Sequence, residues 1–274
     1  MPHHRLFLAA AAFLTAVCAA FPAPAERLLP ESDGLRPLTI IGQDNRLPVE
    51  DAKAVPYADI AFMDVVCSCG CGWECTGTLV GPDIILTSAH SLVCQEHSSP
   101  AESVIAYFGF NNYYDNLYRF GGTWTAYVGN MFEEKQYSFN ADWGLVQLDD
   151  RLGDRIGFLQ LNPEALNTNP EGPFIIAGFS DKVLYTDSGP LVTMDDEHFR
   201  YTMDQDAGAS GGPILDPEGR VAGIIIGHME DDDGARSNVG LTLTPDLLEV
   251  YDALSRHTEV PGRFVKLTPP VDEE

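Results

Sequence analysis

Residues 206–215 read DAGASGGPIL, with one serine, Ser210, set among glycines and alanines. Such small neighbours suit a tight turn. They equally suit a nucleophile whose surrounding backbone N–H groups must point at a reacting oxygen. A serine hydroxyl is a weak nucleophile at neutral pH and needs an adjacent base. Two residues far away in the chain have the right types: His90 ends the apolar run in LTSAHSLVC, and Asp142 opens the one in NADWGLVQLD. A histidine can take the serine proton, while an aspartate can fix the imidazole tautomer and stabilise its charged form. Singly, each has a plainer explanation as a strand-end histidine, a turn aspartate or a glycine turn. Together, each in an extended pattern, they make acyl transfer the chemistry to expect, with His90, Asp142 and Ser210 as the catalytic residues.

Side chains so far apart need rigid elements to bring them together. β-Branched and aromatic runs occur at 58–66, 75–80, 83–89, 103–110, 123–129 and 142–148, and again at 173–179, 189–194, 198–203, 211–215, 221–227 and 238–244. Glycine-, proline- and asparagine-rich breaks separate them, which predicts an all-β sandwich or barrel. One helix is predicted at 245–256. Thr244 can cap it, Pro245 suits its first position, and Asp246 complements its dipole. Leu247, Leu248, Tyr251 and Leu254 give it an apolar stripe for packing. The polar stretch 149–172 reads as the connection between two halves, and the proline-rich, acidic 258–274 as a flexible tail. GASGG also satisfies the G-x-S-x-G pattern of α/β-hydrolases. That fold needs an acid and then a histidine after the serine, together with alternating helices, and neither is apparent here.

The first 25 residues have a basic start, an apolar run from Leu6 to Phe21 and an Ala23-Pro24-Ala25 ending, the form of a cleavable signal peptide. The run is short for a membrane span. A secreted or periplasmic product, free of the membrane after cleavage, is therefore expected. Loss of Arg5 from the 16 basic residues leaves 15 against 41 acidic ones, moving the formal charge from −25 to −26. Such a surface repels nucleic acid, whose binding depends on basic contacts. The acidic stretches 194–198 and 229–234 lack the spacing of a recognised calcium loop and read as solvated charge. Cys67, Cys69, Cys71, Cys75 and Cys94 remain after processing. Export favours disulfides, with one thiol left over by the odd count. The C-x-C-x-C spacing departs from the C-x₂₋₄-C pairs of common zinc sites, so no metal is expected.

CTGTLVGPDIILTSAH, DWGLVQLD and GASGGPIL resemble, in order, the histidine, aspartate and serine segments of the trypsin-like serine proteases. The likeness is greatest to the bacterial glutamyl-endopeptidase branch, whose mature start resembles IIGQDNRLPVEDAKAVPYADIAF (40–62) and whose last strand resembles NVGLTLTP (238–245). The resemblance implies two six-stranded antiparallel β-barrels, about 40–155 and 156–244, within a domain spanning 40–257, with the site in the cleft between them. It also implies a possible short pro-segment at 26–39. The implied oxyanion hole is made by the N–H groups of Gly208 and Ser210. Ala209 stands where trypsin has an aspartate that pairs with the new N-terminus, so control of that type is not expected. Asp204, Gln205, Ile225 and His228 fall at or near specificity positions; Ile225 stands where the glutamyl enzymes place a histidine. The likeness further suggests a Cys75–Cys94 disulfide across the histidine loop. The expected protein is thus a monomeric serine endopeptidase of proteins or peptides, without cofactor. A protease-fold binding protein that has lost turnover is the alternative.

Overall fold

Several apolar runs in this chain are unbroken, and the structure shows why: both faces of those strands are buried. The computed structural model describes residues 38–94, 97, 99–129, 141–169 and 172–269. The expected signal peptide, and the expected pro-segment up to residue 37, lie outside the described residues.

Numbering the principal strands in chain order, the first sheet is built from β1 (Ile60–Val66), β2 (Gly72–Gly81), β3 (Ile84–Thr87), β4 (Ser103–Phe108), β5 (Tyr118–Phe120), β6 (Trp124–Val128) and β7 (Gly144–Leu148). The second contains β8 (Phe174–Ser180), β9 (Val183–Gly189), β10 (His198–Tyr201), β11 (Pro213–Leu215), β12 (Val221–Glu230) and β13 (Arg236–Thr242). A further strand, β14 (Val265–Leu267), follows the helix α1 (Pro245–Ser255). The orders are β14-β6-β7-β3-β2-β1-β4-β5 in one sheet, and Leu47–Pro48, β9, β8, β11, β12, β13, β10, Val192–Thr193 in the other. These are two curled antiparallel sheets in a chymotrypsin-like arrangement, as the resemblance implies. Short strands at the ends bring each sheet to eight members.

Successive side chains of a strand point to opposite faces. On β1, Ala61, Met63 and Val65 fill the first barrel, while Ile60 and Phe62 pack across to Phe179 and Leu184 of the second. On β7, Val146 and Leu148 point inward, and Leu145 joins the seam formed by Ile84, Leu86, Ile224, Ile226 and Leu241. On β12, the triplet Ile224-Ile225-Ile226 divides likewise: Ile225 enters the second barrel's core with Phe199 and Ile214, and its neighbours enter the seam. Helix α1 lays Leu247, Val250 and Leu254 on that seam, and the Thr244 hydroxyl accepts from Leu247 N at 3.3 Å.

The C-terminal segment departs from expectation. Residues 258–274 are predicted to be a flexible tail, yet β14 pairs with β6 and buries Leu267 in the first barrel, while the Phe264 ring meets Trp143 edge-on at 5.9 Å. The alternation of Phe264, Val265, Lys266 and Leu267 is too short to register between glycine and two prolines. The two ends of the chain are therefore exchanged: Leu47–Pro48 completes the edge of the second sheet, and β14 completes that of the first.

Candidate active site

His90 lies in a single 3₁₀ turn, Ala89–Leu92, that follows β3 directly. Ala89, Ser91 and Leu92 are buried and fix the turn to the first barrel, and Trp73 Nε1 donates to Ser91 O at 3.1 Å. Asp142 lies two residues before the start of β7 and is fully buried. One of its oxygens accepts from His90 N at 2.9 Å; the other lies 2.7 Å from His90 Nδ1. The carboxylate therefore holds both the backbone and the ring of His90. Gly144 permits this approach, because a Cβ there would come within 2.7 Å of Leu92 Cδ1.

Ser210 belongs to the second barrel. Its loop is seated by glycines: a Cβ on Gly211 would fall 2.1 Å from Thr87 Oγ1 and 2.8 Å from Ser88 N. The Ser210 loop thus abuts the two residues that lead into the His90 turn. Gly208 has φ of +95°, in the region that favours glycine, and a Cβ there would fall 2.8 Å from Phe179 O.

The N–H groups of this loop divide sharply. Ala207 N donates to Asp206 Oδ1, Ala209 N to Asp206 O, Gly211 N to Ile225 O and Gly212 N to Ala209 O. Among the described residues, the N–H groups of Gly208 and Ser210 have no acceptor. Two amides of one tight loop without acceptors can receive an oxygen that gains negative charge.

Thr76, on β2 beside Cys75, was not singled out by sequence, yet it organises this loop. Its N–H donates to Ser210 O at 2.9 Å, and its hydroxyl donates to Gly208 O at 2.8 Å. That hydroxyl also accepts from Phe179 N at 2.9 Å, and its own carbonyl accepts from Thr87 Oγ1 at 2.7 Å. A single buried threonine therefore ties down the carbonyls of Gly208 and Ser210. The bonds span 132 and 103 residues, so no local pattern announces them.

The four specificity candidates fare differently. Asp204 is buried, and its carboxylate is occupied: Oδ1 accepts from Ile41 N at 2.7 Å, and Oδ2 accepts from Asn45 N at 2.8 Å and Asn45 Nδ2 at 3.3 Å. These bonds anchor the N-terminal segment. Ile225 is a core residue for the reason of strand alternation given above. Gln205 is buried, with its N–H directed to Thr39 O. His228 is buried on β12 opposite Asn238. Asn238 in turn grips the end of the expected pro-segment, accepting from Thr39 N at 3.2 Å and donating to Thr39 O at 3.0 Å.

The Cys75–Cys94 pairing is not found; all five described cysteines are free thiols. Cys75 points into the first barrel's core, where burial pushes its thiol up to about 12, and its partner is Ser91. Cys94 faces Cys69 instead, at 3.9 Å between sulfurs.

Residues 75–224 match the trypsin-like peptidase domain, a span covering more than half of the chain. The chain is 25% identical over 227 residues to an extracellular metalloprotease of Bacillus subtilis, covering 78% of this chain and 68% of that protein. It is 25% identical over 183 residues to a glutamyl endopeptidase of Bacillus licheniformis, covering 65% of this chain and 55% of the relative. A solved glutamyl endopeptidase structure, in complex with MPD, superposes with a TM-score of 0.67 at 24% identity, covering 79% of this chain and 99% of that one. Strand order, the His90–Asp142 pair and these matches converge on one assignment: the chain belongs to the trypsin-like peptidase domain family.

Proposed function

We propose that this protein is an exported serine endopeptidase, with Ser210 as nucleophile, His90 as general base and acid, and Asp142 as the residue that orients the imidazole. The supporting observation is the fully buried Asp142 carboxylate holding His90 Nδ1 at 2.7 Å, with the Ser210 loop packed against the entrance to the same turn.

With Nδ1 directed to Asp142, proton transfer falls to Nε2. Ser210 Oγ attacks the scissile carbonyl carbon as His90 accepts its proton. The carbonyl oxygen becomes an oxyanion stabilised by the N–H groups of Gly208 and Ser210. Collapse breaks the C–N bond, and His90 returns the proton to the departing amine. Water then repeats the sequence in reverse on the ester of Ser210, releasing the acid and restoring the hydroxyl. The Asp204 carboxylate, already bound by three donors, gives no support to selection of arginine or lysine. Ile225, sunk in the core, gives none to selection of glutamate by a side chain from that strand position.

A fluorophosphonate probe tests the reading. Stoichiometric labelling of Ser210, abolished in Ser210→Ala together with peptide hydrolysis, is the expected result. A wild-type protein inert to the probe would overturn it.

A further inference from the structure

Cys67, Cys69 and Cys71 share one turn that lies against Cys94, four residues beyond His90. Residues 67–71 form a tight turn after β1: Cys67 N donates to Cys71 O and Gly70 N to Cys67 O, each at 2.8 Å, with Gly70 at φ +81°. This turn faces the segment that leaves the His90 turn. Cys69 Sγ lies 3.9 Å from Cys94 Sγ, and Cys94 Sγ lies 3.4 Å from His97 Nδ1. All three ligand atoms fall within 4.8 Å of one another.

A zinc site and a disulfide set different lengths. A zinc tetrahedron with Zn–S of about 2.3 Å and Zn–N of about 2.0 Å has S–S edges of about 3.8 Å and S–N edges of about 3.5 Å. A disulfide requires its sulfurs at about 2.05 Å. The observed 3.9 and 3.4 Å, lengths that thiol hydrogen bonds also adopt, fit the edges of the tetrahedron.

We propose that Cys69, Cys94 and His97 bind a thiophilic divalent cation, zinc, with water as the fourth ligand. Each cysteine gives up its thiol proton on binding, so that thiolates face the metal. The site is structural: it staples the turn at 67–71 to the segment four residues beyond His90. Sequence spacing concealed it because C-x-C-x-C alone is not a zinc motif. The site needs the Cys94-x-x-His97 pair, which the fold supplies from another turn. Nothing in this inference depends on peptidase activity.

Exported chains more often use disulfides, so the experiment must separate the two. The full-length protein is purified from zinc-supplemented culture without reductant or chelator. Metal is measured by plasma mass spectrometry, and thiols by alkylation in denaturant with and without prior reduction. About one zinc per chain is expected, with Cys67, Cys69 and Cys94 alkylated without reduction. Cys69→Ser and His97→Ala should each lose the metal, while Cys71→Ser keeps it. Cobalt(II) in place of zinc should give thiolate-to-metal charge-transfer and tetrahedral ligand-field bands that vanish in Cys69→Ser. A wild-type protein without metal, its Cys94 in a disulfide with Cys67 or Cys69, would overturn the proposal. So would zinc retained by both ligand variants. The wild-type measurement decides the matter even if a variant fails to fold.

Discussion

The two walls of the cleft are held by opposite means. On the first barrel, His90 is fixed by side-chain chemistry: a buried carboxylate receives its ring and its backbone N–H. On the second, Ser210 is fixed by the absence of side chains, with Gly208 and Gly211 seated where a Cβ would strike Phe179 O and Thr87 Oγ1. A wall built from a charged hydrogen bond should lose chemistry when altered and keep its shape. A wall built from backbone fit should lose shape first. Thr76 joins the two, since its hydroxyl reaches from the first barrel to the carbonyl of Gly208.

Substitutions can break or sharpen this contrast. The largest effect is expected at Ser210→Ala and Asp142→Asn, each lowering kcat/KM by about 10⁴-fold or more. Ser210→Ala should move the denaturation midpoint hardly at all, because surface-cleft hydroxyls contribute within about 0.5 kcal/mol; steady-state kinetics beside chemical denaturation checks both. Gly208→Ala should combine damage of both kinds. Its φ of +95° and the 2.8 Å approach to Phe179 O strain the loop, and displacing the Gly208 N–H, which alanine retains, from its proposed oxyanion-binding position should lower kcat by up to about 10²–10³-fold. Thr76→Val keeps the shape and removes the hydroxyl, leaving Phe179 N and Gly208 O without that partner. Unfolding free energy should fall by about 1–3 kcal/mol, with kcat reduced and KM little changed. A normal kcat in that variant would show that the loop needs no tie across the cleft.

Asp204→Asn should cost about 1–3 kcal/mol by setting an amide against the N–H donors of Ile41 and Asn45. A peptide-library profile should give the same cleavage preference as wild type. A further prediction concerns pH. Burial pushes the Asp59 carboxyl up to about 6, and its Oδ1 has no partner among the described residues. The folded state therefore binds this proton more tightly than the unfolded chain, whose aspartates titrate near about 3.9. Stability should decline as pH rises between those values and not recover above them. Asp59→Asn should raise the denaturation midpoint at pH 8 and leave it nearly unchanged at pH 4.

Strands, helix and the order histidine, aspartate, serine were legible because each leaves a local mark. Alternation reveals a strand, Thr244-Pro245 a helix start, and a serine among glycines a loop pressed against other backbone. What escaped was set by contacts across the chain. The ties from Ile41 and Asn45 to the Asp204 carboxylate join residues about 160 apart in the chain. Ile225 looks like a pocket wall until the alternation of β12 turns it inward. Cys75 and Cys94 bracket His90 in sequence, but strand polarity sends Cys75 into the core and leaves Cys94 facing Cys69. Spacing along the chain says little about which sulfurs meet.

The exchanged ends bear on what happens when a peptidase is itself cut. Severing the polar link between the barrels would not set two independent halves adrift. The leading fragment would still lend Leu47–Pro48 to its partner's rim, and the trailing fragment would still lend Val265–Leu267 in return. The nicked pair stays clasped, and the groove between its halves outlives the covalent hinge.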